Sequence, residues 1–241
     1  MHGAVFGEFL GTLVLLVFGN GVVANVVLDR SKGAGGGWIV ITAGWGFAVF
    51  CGIVTSLGVG GVAHLNPAVT LASAIVSGDF SHVAPYVGAQ LAGAVLSGAV
   101  VWLVYLPHWP TSDADAKLAV FCTQPAIRAP WANALSELIG TVMLIVIGMG
   151  LASKGFASAG LAPGMGPFFW GIVVWALGLS LGGPTGYAIN PARDLGPRIA
   201  HAILPIAGKR DSDWGYAWVP VAAPLAGAAL GAVIVKATGI G

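Results

Sequence analysis

The chain has 241 residues, of which 57% are hydrophobic and only 8% are charged, and its formal net charge at pH 7 is +1. Soluble globular domains carry about 25% charged residues, so this composition excludes an ordinary soluble protein. The nearly balanced charge gives no general attraction to nucleic acid, and we expect no nucleic-acid partner.

Long apolar runs without Asp, Glu, Lys or Arg predict several membrane-spanning helices. A helix of about 20 apolar residues crosses a lipid bilayer, so a run of roughly 18 or more indicates a span. No long linker separates the runs, and we therefore expect a single domain over 1–241. The predicted spans are 4–28, 38–58, 83–106, 131–152, 166–183 and 215–237, with loops near 29–37, 107–130, 153–165 and 205–214.

Two further apolar stretches, 59–79 and 182–204, each contain an Asn-Pro-Ala sequence, which begins at Asn66 and at Asn190. Asn is among the best N-caps and Pro is well tolerated at the first helical position, so each sequence predicts a helix start. The first of these helices, from Asn66 to Ser77, would be about 18 Å long, whereas the hydrocarbon core is about 30 Å thick. Each segment is therefore predicted to dip to mid-bilayer, where irregular backbone is typical of a water-filled pore.

The second half of the chain repeats the first. The sequence EFLGT at 8–12 recurs as ELIGT at 137–141, and Trp-Gly, Asn-Pro-Ala and Leu-Ala-Gly-Ala sequences recur in both halves. Each half holds three full spans, an odd number, so the halves must be inverted relative to one another in the membrane. We assign the first repeat to 1–106, the connecting loop to 107–130 and the second repeat to 131–241.

The two Asn-Pro-Ala sequences resemble those of the major intrinsic protein family, which includes aquaporins and glycerol facilitators. They stand in HLNPAVT at 64–70 and in NPARDLGP at 190–197, and the resemblance covers nearly the whole chain. It implies an aquaporin-like fold: an all-α membrane protein with six transmembrane helices and two re-entrant half-helices in an inverted repeat. It also implies a homotetramer with one pore per subunit and both termini in the cytoplasm, and we expect it in the plasma membrane.

Within the family, this chain resembles the aquaglyceroporins in particular, because Asp194 directly follows the Arg of the second motif. Water-selective members usually have His where this chain has Gly178, and the usual filter Phe is replaced by Tyr187. The resemblance assigns four residues to the selectivity filter, six to the mid-pore motifs and four to the support of the loops. These are Trp45, Gly178, Tyr187 and Arg193; Asn66, Pro67, Ala68, Asn190, Pro191 and Ala192; and Glu8, Glu137, His64 and Asp194.

Physical reasoning gives these residues the roles expected of a channel. Each half-helix N-terminus carries about half a positive elementary charge, which repels cations and protons at mid-pore. Arg193 offers hydrogen-bond donors, and Trp45 and Tyr187 offer an apolar wall. Such a slot matches glycerol, so we predict a passive channel for glycerol and other small uncharged solutes, with water, that excludes ions and protons.

Two other transport functions stay open on these residues: a water-selective aquaporin, and a secondary transporter. Secondary transporters also use broken helices, and Glu8 and Glu137 are intramembrane carboxylates of the kind that can couple protons. An enzyme is not predicted, because the GxSxG match at 178–182 lies in a predicted membrane helix instead of a strand–turn–helix elbow. The two cysteines form no CxxC pair, and no metal or other cofactor is predicted.

The loop charges favour the opposite orientation to that of the family. Cytoplasmic loops are usually rich in Lys and Arg, but cytoplasmic termini would place most of the basic loop residues outside. Here we follow the family. The basic residues outside would then be Arg30, Lys32, Lys117, Arg128, Lys209 and Arg210, and those inside Lys154 and Lys236.

Overall fold

The computed structural model describes residues 3–157, 162 and 164–240, and every regular element in this part of the chain is a helix. A short 3-10 helix spans Leu106–Thr111. The α-helices are α1 Ala4–Val27, α2 Trp38–Gly58, α3 Pro67–Ser77, α4 Val83–Val104, α5 Ala114–Phe121, α6 Pro130–Leu151, α7 Lys154–Ala157, α8 Gly166–Leu181, α9 Pro191–Ile203 and α10 Val219–Thr238.

Five of the described helices, α1, α2, α4, α6 and α10, are long and apolar enough to cross a membrane. The remaining predicted span corresponds to α8, which has 16 residues and is about 24 Å long at 1.5 Å per residue. It packs against α2 and α6 inside the bundle. The prediction of an all-helical membrane fold is thus confirmed.

The half-helices α3 and α9 begin where the sequence predicts. The Asn66 carboxamide oxygen accepts from the Ala68 N–H at 2.8 Å, and that of Asn190 accepts from the Ala192 N–H at 3.0 Å. The two helices have 11 and 13 residues, or about 17 and 20 Å, so neither can cross a hydrocarbon core of about 30 Å.

Close packing of the bundle depends on glycine at the helix crossings. A Cβ on Gly46 of α2 would lie 2.8 Å from the carbonyl oxygen of Gly171 in α8, and one on Gly171 would lie 2.6 Å from that of Gly46. A Cβ on Gly227 of α10 would likewise lie 2.6 Å from the Leu138 carbonyl oxygen in α6. Small residues of this kind let membrane helices approach backbone to backbone.

Two predicted boundaries are wrong. The last span begins at Val219, not at residue 215, because residues 213–217 form turns, with the Tyr216 N–H bonded to the Asp213 carbonyl at 3.0 Å. The connecting segment 107–130 is not a plain loop, since it contains α5, whose N-cap Asp113 accepts from the Ala116 N–H at 2.7 Å. That cap is a local signal that the sequence analysis missed. Part of the predicted loop 153–165 lies outside the described residues.

Candidate functional site

Before each half-helix the chain runs through an extended segment with an unusual backbone. Residues with positive φ alternate with ordinary ones, a conformation that is uncommon for any residue except Gly and costs on the order of 1–3 kcal/mol each. Such a segment has no helical hydrogen bonds of its own, so its N–H groups need partners elsewhere in the fold. The left-handed residues are Ala63 (φ 61°), Leu65 (φ 52°), Tyr187 (φ 38°) and Ile189 (φ 43°).

Glu8 of α1 supplies the partners in the first segment. Its carboxylate is completely buried and accepts from the backbone N–H groups of His64 at 2.7 Å and Leu65 at 2.6 Å. The side-chain amide of Gln90 in α4 donates to the same carboxylate at 2.7 Å. The carboxylate therefore joins α1, the extended segment and α4.

Glu137 of α6 does the same in the second segment. Its buried carboxylate accepts from the N–H groups of Ala188 at 2.8 Å and Ile189 at 2.9 Å. Both carboxylates are thus occupied by backbone donors of the segment that follows in the chain.

The two capping asparagines are linked crosswise. The Asn66 amide nitrogen donates to the Ile189 carbonyl at 2.9 Å, and the Asn190 amide nitrogen donates to the Leu65 carbonyl at 2.9 Å. An amide nitrogen has two N–H donors, so each asparagine keeps one for another acceptor. The half-helix N-termini, with Pro67–Ala68 and Pro191–Ala192 in their first turns, are held face to face by this pair of bonds.

A cavity of about 70 Å³ lies along these segments. A water molecule takes up about 30 Å³ in the liquid, so the cavity has room for about two waters. Both capping asparagines line it, together with Trp45, Tyr187 and Arg193, and its remaining lining is mainly apolar.

Arg193 and Trp45 are stacked at one part of this cavity. The guanidinium carbon lies 4.3 Å from the centre of the Trp45 ring, the geometry of a cation–π contact. Among the described residues, the Arg193 side chain has no hydrogen-bond acceptor, whereas its backbone N–H bonds to the Asn190 carboxamide oxygen at 3.2 Å. Its side-chain donors are therefore available to a molecule in the cavity.

Gly178 lies in a different place from the other three residues that were predicted to form the filter. It does not line the cavity; it lies against the Tyr187 ring. A Cβ on Gly178 would lie 2.7 Å from Cζ and 2.8 Å from the hydroxyl oxygen of Tyr187, and 2.9 Å from the Thr42 methyl carbon. The room that this glycine leaves is therefore filled by Tyr187.

Asp194 does not meet the cavity and instead anchors α9 to the loops. Its buried carboxylate accepts from the N–H and hydroxyl of Thr123, at 2.8 and 2.6 Å, and from Nε and Nη2 of Arg198, at 2.7 and 2.9 Å. Arg198 in turn donates to the carbonyls of Ser212 at 2.6 Å and Asp213 at 3.0 Å. Sequence reasoning missed Arg198, although its i, i+4 spacing from Asp194 was a usable signal.

The neighbouring Cys122 belongs to the packing of the same region. Burial raises the pKa of its thiol, which therefore stays protonated. Within the described residues, no group of three or more His, Cys, Asp or Glu side chains is arranged to hold a metal ion.

His64 lines this cavity and also a second, more polar cavity of about 260 Å³. Its Nδ1 is 3.2 Å from the Thr70 hydroxyl, and its ring meets the Tyr86 ring edge-on with 5.7 Å between centres. His82 and Asp79 line the same polar cavity. Two cavities thus meet at this histidine.

Two capped half-helices that meet inside an apolar helical bundle, beside a cavity lined by both capping asparagines, define a membrane pore of the re-entrant-helix class. The family model described as Major intrinsic protein matches residues 1–235. The chain belongs to this family, as the sequence predicts, and it is an integral membrane protein.

Three similar proteins illustrate the relationship. The chain is 56% identical over 230 residues to the "Probable glycerol uptake facilitator protein" of Thermotoga maritima, covering 93% of this chain and 94% of that one. It is 55% identical over 233 residues to "Glycerol uptake facilitator protein 3" of Lactiplantibacillus plantarum, covering 95% and 94%. The fold matches the X-ray structure of the aquaglyceroporin from Plasmodium falciparum with a TM-score of 0.84 at 29% identity, covering 96% of this chain and 94% of that one.

Proposed function

We propose that the chain is a passive channel that carries glycerol and other small uncharged solutes, with water, and that excludes ions and protons. The observation that carries this proposal is the cavity, which has aromatic surfaces, a guanidinium and two amides along one path. The glycerol uptake facilitators that the chain resembles support the choice of solute.

The cavity lining suits a polyol because it has two unlike sides. A three-carbon polyol can place its carbon chain against the rings of Trp45 and Tyr187 while its hydroxyls accept from Arg193. Next, it meets the remaining N–H donors of Asn66 and Asn190. A solute with hydroxyls along one edge thus exchanges water for protein donors at successive positions without leaving a polar group unpaired.

Charge exclusion follows from the two half-helices. Their positive N-terminal ends both point to the asparagine pair, and Arg193 adds a full positive charge nearby. The asparagine donors orient the oxygen of a passing water towards the protein, which interrupts a continuous donor–acceptor file for protons. We assign the filter to Trp45, Tyr187 and Arg193, with Gly178 acting through Tyr187.

The alternatives differ in what they need. A proton-coupled transporter needs a carboxylate that can change partners, whereas the carboxylates of Glu8 and Glu137 are each bonded to two backbone N–H groups. A water-selective channel needs a narrower filter, and a larger residue at position 178 would push the Tyr187 ring into the cavity, whereas Gly178 leaves room for that ring beside α8. Both considerations favour the solute channel.

For the assembly we propose one channel domain with inverted repeats over 1–106 and 131–241, which forms a homotetramer in the plasma membrane. Large apolar side chains exposed on the helices, such as Phe47 on α2 and Leu135 on α6, both 57% exposed, would then face lipid or neighbouring subunits. Native mass spectrometry from mild detergent should give four chains per particle. A predominantly monomeric species would contradict the tetramer.

We further propose cytoplasmic termini. Two basic residues on the outer side would then pair with acidic loop residues, Arg128 with Asp213 and Arg210 with Asp115. A fluorescent reporter that matures only in the cytoplasm, fused to the C-terminus, should be bright in intact cells. A dark fusion protein of normal abundance would reverse this orientation.

Stopped-flow light scattering on proteoliposomes tests the proposed function. Vesicles with the protein should shrink under an osmotic step and re-swell with glycerol much faster than empty vesicles. An imposed pH gradient should change neither rate, and proton leak should equal that of the lipid alone. Glycerol re-swelling at the rate of empty vesicles would overturn the proposal, and uptake that follows the pH gradient would favour a transporter.

A further inference from the structure

Trp38, the first residue of α2, joins α2 to α8 next to the proposed filter. Its indole N–H donates to the Gly178 carbonyl at 3.0 Å. Gly178 is four residues before the C-cap of α8, in the last turn, where backbone carbonyls lack intrahelical N–H partners. The indole therefore satisfies a carbonyl at the same residue that the Tyr187 ring packs against.

The Trp38 ring also contacts the Tyr187 ring directly. The two rings meet edge-to-face, with 5.9 Å between their centres and 82° between their planes. A Cβ on Gly182, one turn beyond Gly178, would touch both rings, lying 2.8 Å from Cζ2 of Trp38. Thr42, one turn further along α2 and completely buried, also lies against Gly178.

The Tyr187 ring is thus held in a seat of four residues: Gly178 and Gly182 from α8, and Trp38 and Thr42 from α2. Tyr187 lines the cavity, but none of these four residues does. The Tyr187 hydroxyl is buried and has no hydrogen-bond partner among the described residues. Packing alone therefore fixes the ring, and the position of the ring fixes the free width beside Arg193.

We propose that Trp38 is a positioning residue of the channel: it sets the place of the Tyr187 ring in the constriction and thereby the size of the solutes that pass. This inference rests on the proposed function and deepens it. Trp38 is 40% exposed, so its replacement removes one hydrogen bond and one ring contact without opening the buried core.

The experiment compares Trp38→Phe and Trp38→Ala by the ratio of glycerol flux to water flux in proteoliposomes. A ratio does not depend on how many channels are inserted, so a loss of folded protein alone leaves it unchanged. Trp38→Ala vacates one side of the seat and lets the ring move away from Arg193, so the ratio should rise. We expect the flux ratio to rise by about two- to tenfold in Trp38→Ala, the factor that corresponds to the free energy of one hydrogen bond. The rise should be smaller in Trp38→Phe, which keeps a ring in place.

Trp175→Phe is the matched control. Trp175 lies on α8, and its indole N–H is buried without a partner among the described residues. Its ring meets Phe47 instead, at 6.2 Å between centres. The same substitution should therefore leave the flux ratio at the wild-type value.

A second arm tests whether Trp38 acts through Tyr187. In a Tyr187→Ala background the ring is absent, so Trp38→Ala should no longer change the ratio. A full effect of Trp38→Ala in that background would overturn the proposal, as would an unchanged ratio in the single variant. If wild-type vesicles conduct no glycerol, the proposed function fails first; the water-to-urea ratio of the same variants then still tests the positioning role.

Discussion

The two segments that lead into the half-helices and include their first turns, residues 63–69 and 187–193, share one backbone design. In both, positive φ angles stand three and one positions before the capping asparagine. In both, a buried glutamate accepts from the N–H groups of the two residues directly before that asparagine. Chain reversal inside lipid demands this, because every backbone group at that depth needs a partner in the protein.

The same two segments differ in the side chains that they present to the cavity. Where the second has Tyr187 and Arg193, the first has Ala63 and Val69, and all four line the cavity. The first segment alone has a histidine, His64. We infer from this comparison that the shared backbone sets the depth of the half-helices and the field between them, and that the differing side chains set which solutes pass.

Removing a carboxylate breaks the shared part and should have the largest effect. Glu137→Ala leaves two buried N–H donors unpaired, at about 1–3 kcal/mol each, so stability should fall by roughly 2–6 kcal/mol. Thermal unfolding in detergent, followed by size-exclusion chromatography, measures the loss. Thr12→Val is the control, because the buried Thr12 hydroxyl has no partner among the described residues and its removal should cost little. A wild-type melting curve for Glu137→Ala would show that the carboxylate is not needed.

The shared part was predictable from sequence because its signals are local. An asparagine followed by proline indicates a helix start wherever it stands, and the repeated Glu-x-x-x-Thr sequence indicates that two glutamates have equivalent tasks. The contact of Gly178 with Tyr187 could not be read in this way. It depends on how α2 and α8 approach each other, and residues far apart in the chain decide that distance.

The loops show the same division between local and tertiary signals. The Asp194–Arg198 pair has helical spacing and was accessible from sequence. Its bonds to Thr123 and Ser212 join segments that no sequence pattern connects. The turn before α10 was hidden for another reason: residues 214–218 carry no charge and include two Trp and one Tyr, so they look like the start of the apolar span.

A larger side chain at Gly178 would fill the space in which the Tyr187 ring lies, so it would change the second segment and leave the first unchanged. The Cβ in Gly178→His would lie 2.7 Å from Tyr187 Cζ, so the ring must move into the cavity and the imidazole must follow. A misfit of this size in an apolar slot is worth about 10- to 200-fold, so glycerol flux should fall by at least tenfold while much of the water flux remains.

Gly88→Ala is the control for this change, because nothing lies within 4 Å of a Cβ at Gly88. Its fluxes of glycerol and water should both match those of the wild type. If Gly178→His reduces the two fluxes equally in correctly assembled protein, the side chain at position 178 does not influence the filter.

Arg193→Val makes the second segment like the first, which has Val69 at the corresponding place. A unit charge about 4 Å from a passing ion is worth about 4 kcal/mol at an effective dielectric constant of 20, and the half-helix dipoles remain. Since about 1.4 kcal/mol corresponds to a factor of ten, we expect the sodium leak of proteoliposomes to rise by at least about tenfold and at most about 700-fold, as measured with a trapped sodium indicator. Val69→Thr, a neutral change in the first segment, should leave the leak at the lipid background. An unchanged leak in Arg193→Val would assign charge exclusion to the dipoles alone.

The smallest effect is expected from Tyr187→Phe, which removes only the hydroxyl. The hydroxyl is buried and has no partner among the described residues, so a water or a polar solute in the cavity can bond it only when the Tyr187 ring shifts towards the cavity. Without it, small polar solutes lose one hydrogen bond beside Arg193, worth about 0.5–1.5 kcal/mol or a factor of about two to ten. Glycerol has three hydroxyls and a carbon chain that packs on the ring in either case, so its flux should change less.

The flux of urea or water relative to glycerol should therefore fall by about two- to tenfold in side-by-side stopped-flow measurements, with no loss of thermal stability. Flux ratios equal to those of the wild type would mean that the hydroxyl, which packs against Gly178, is turned away from the solute path and that Tyr187 acts only as an apolar wall.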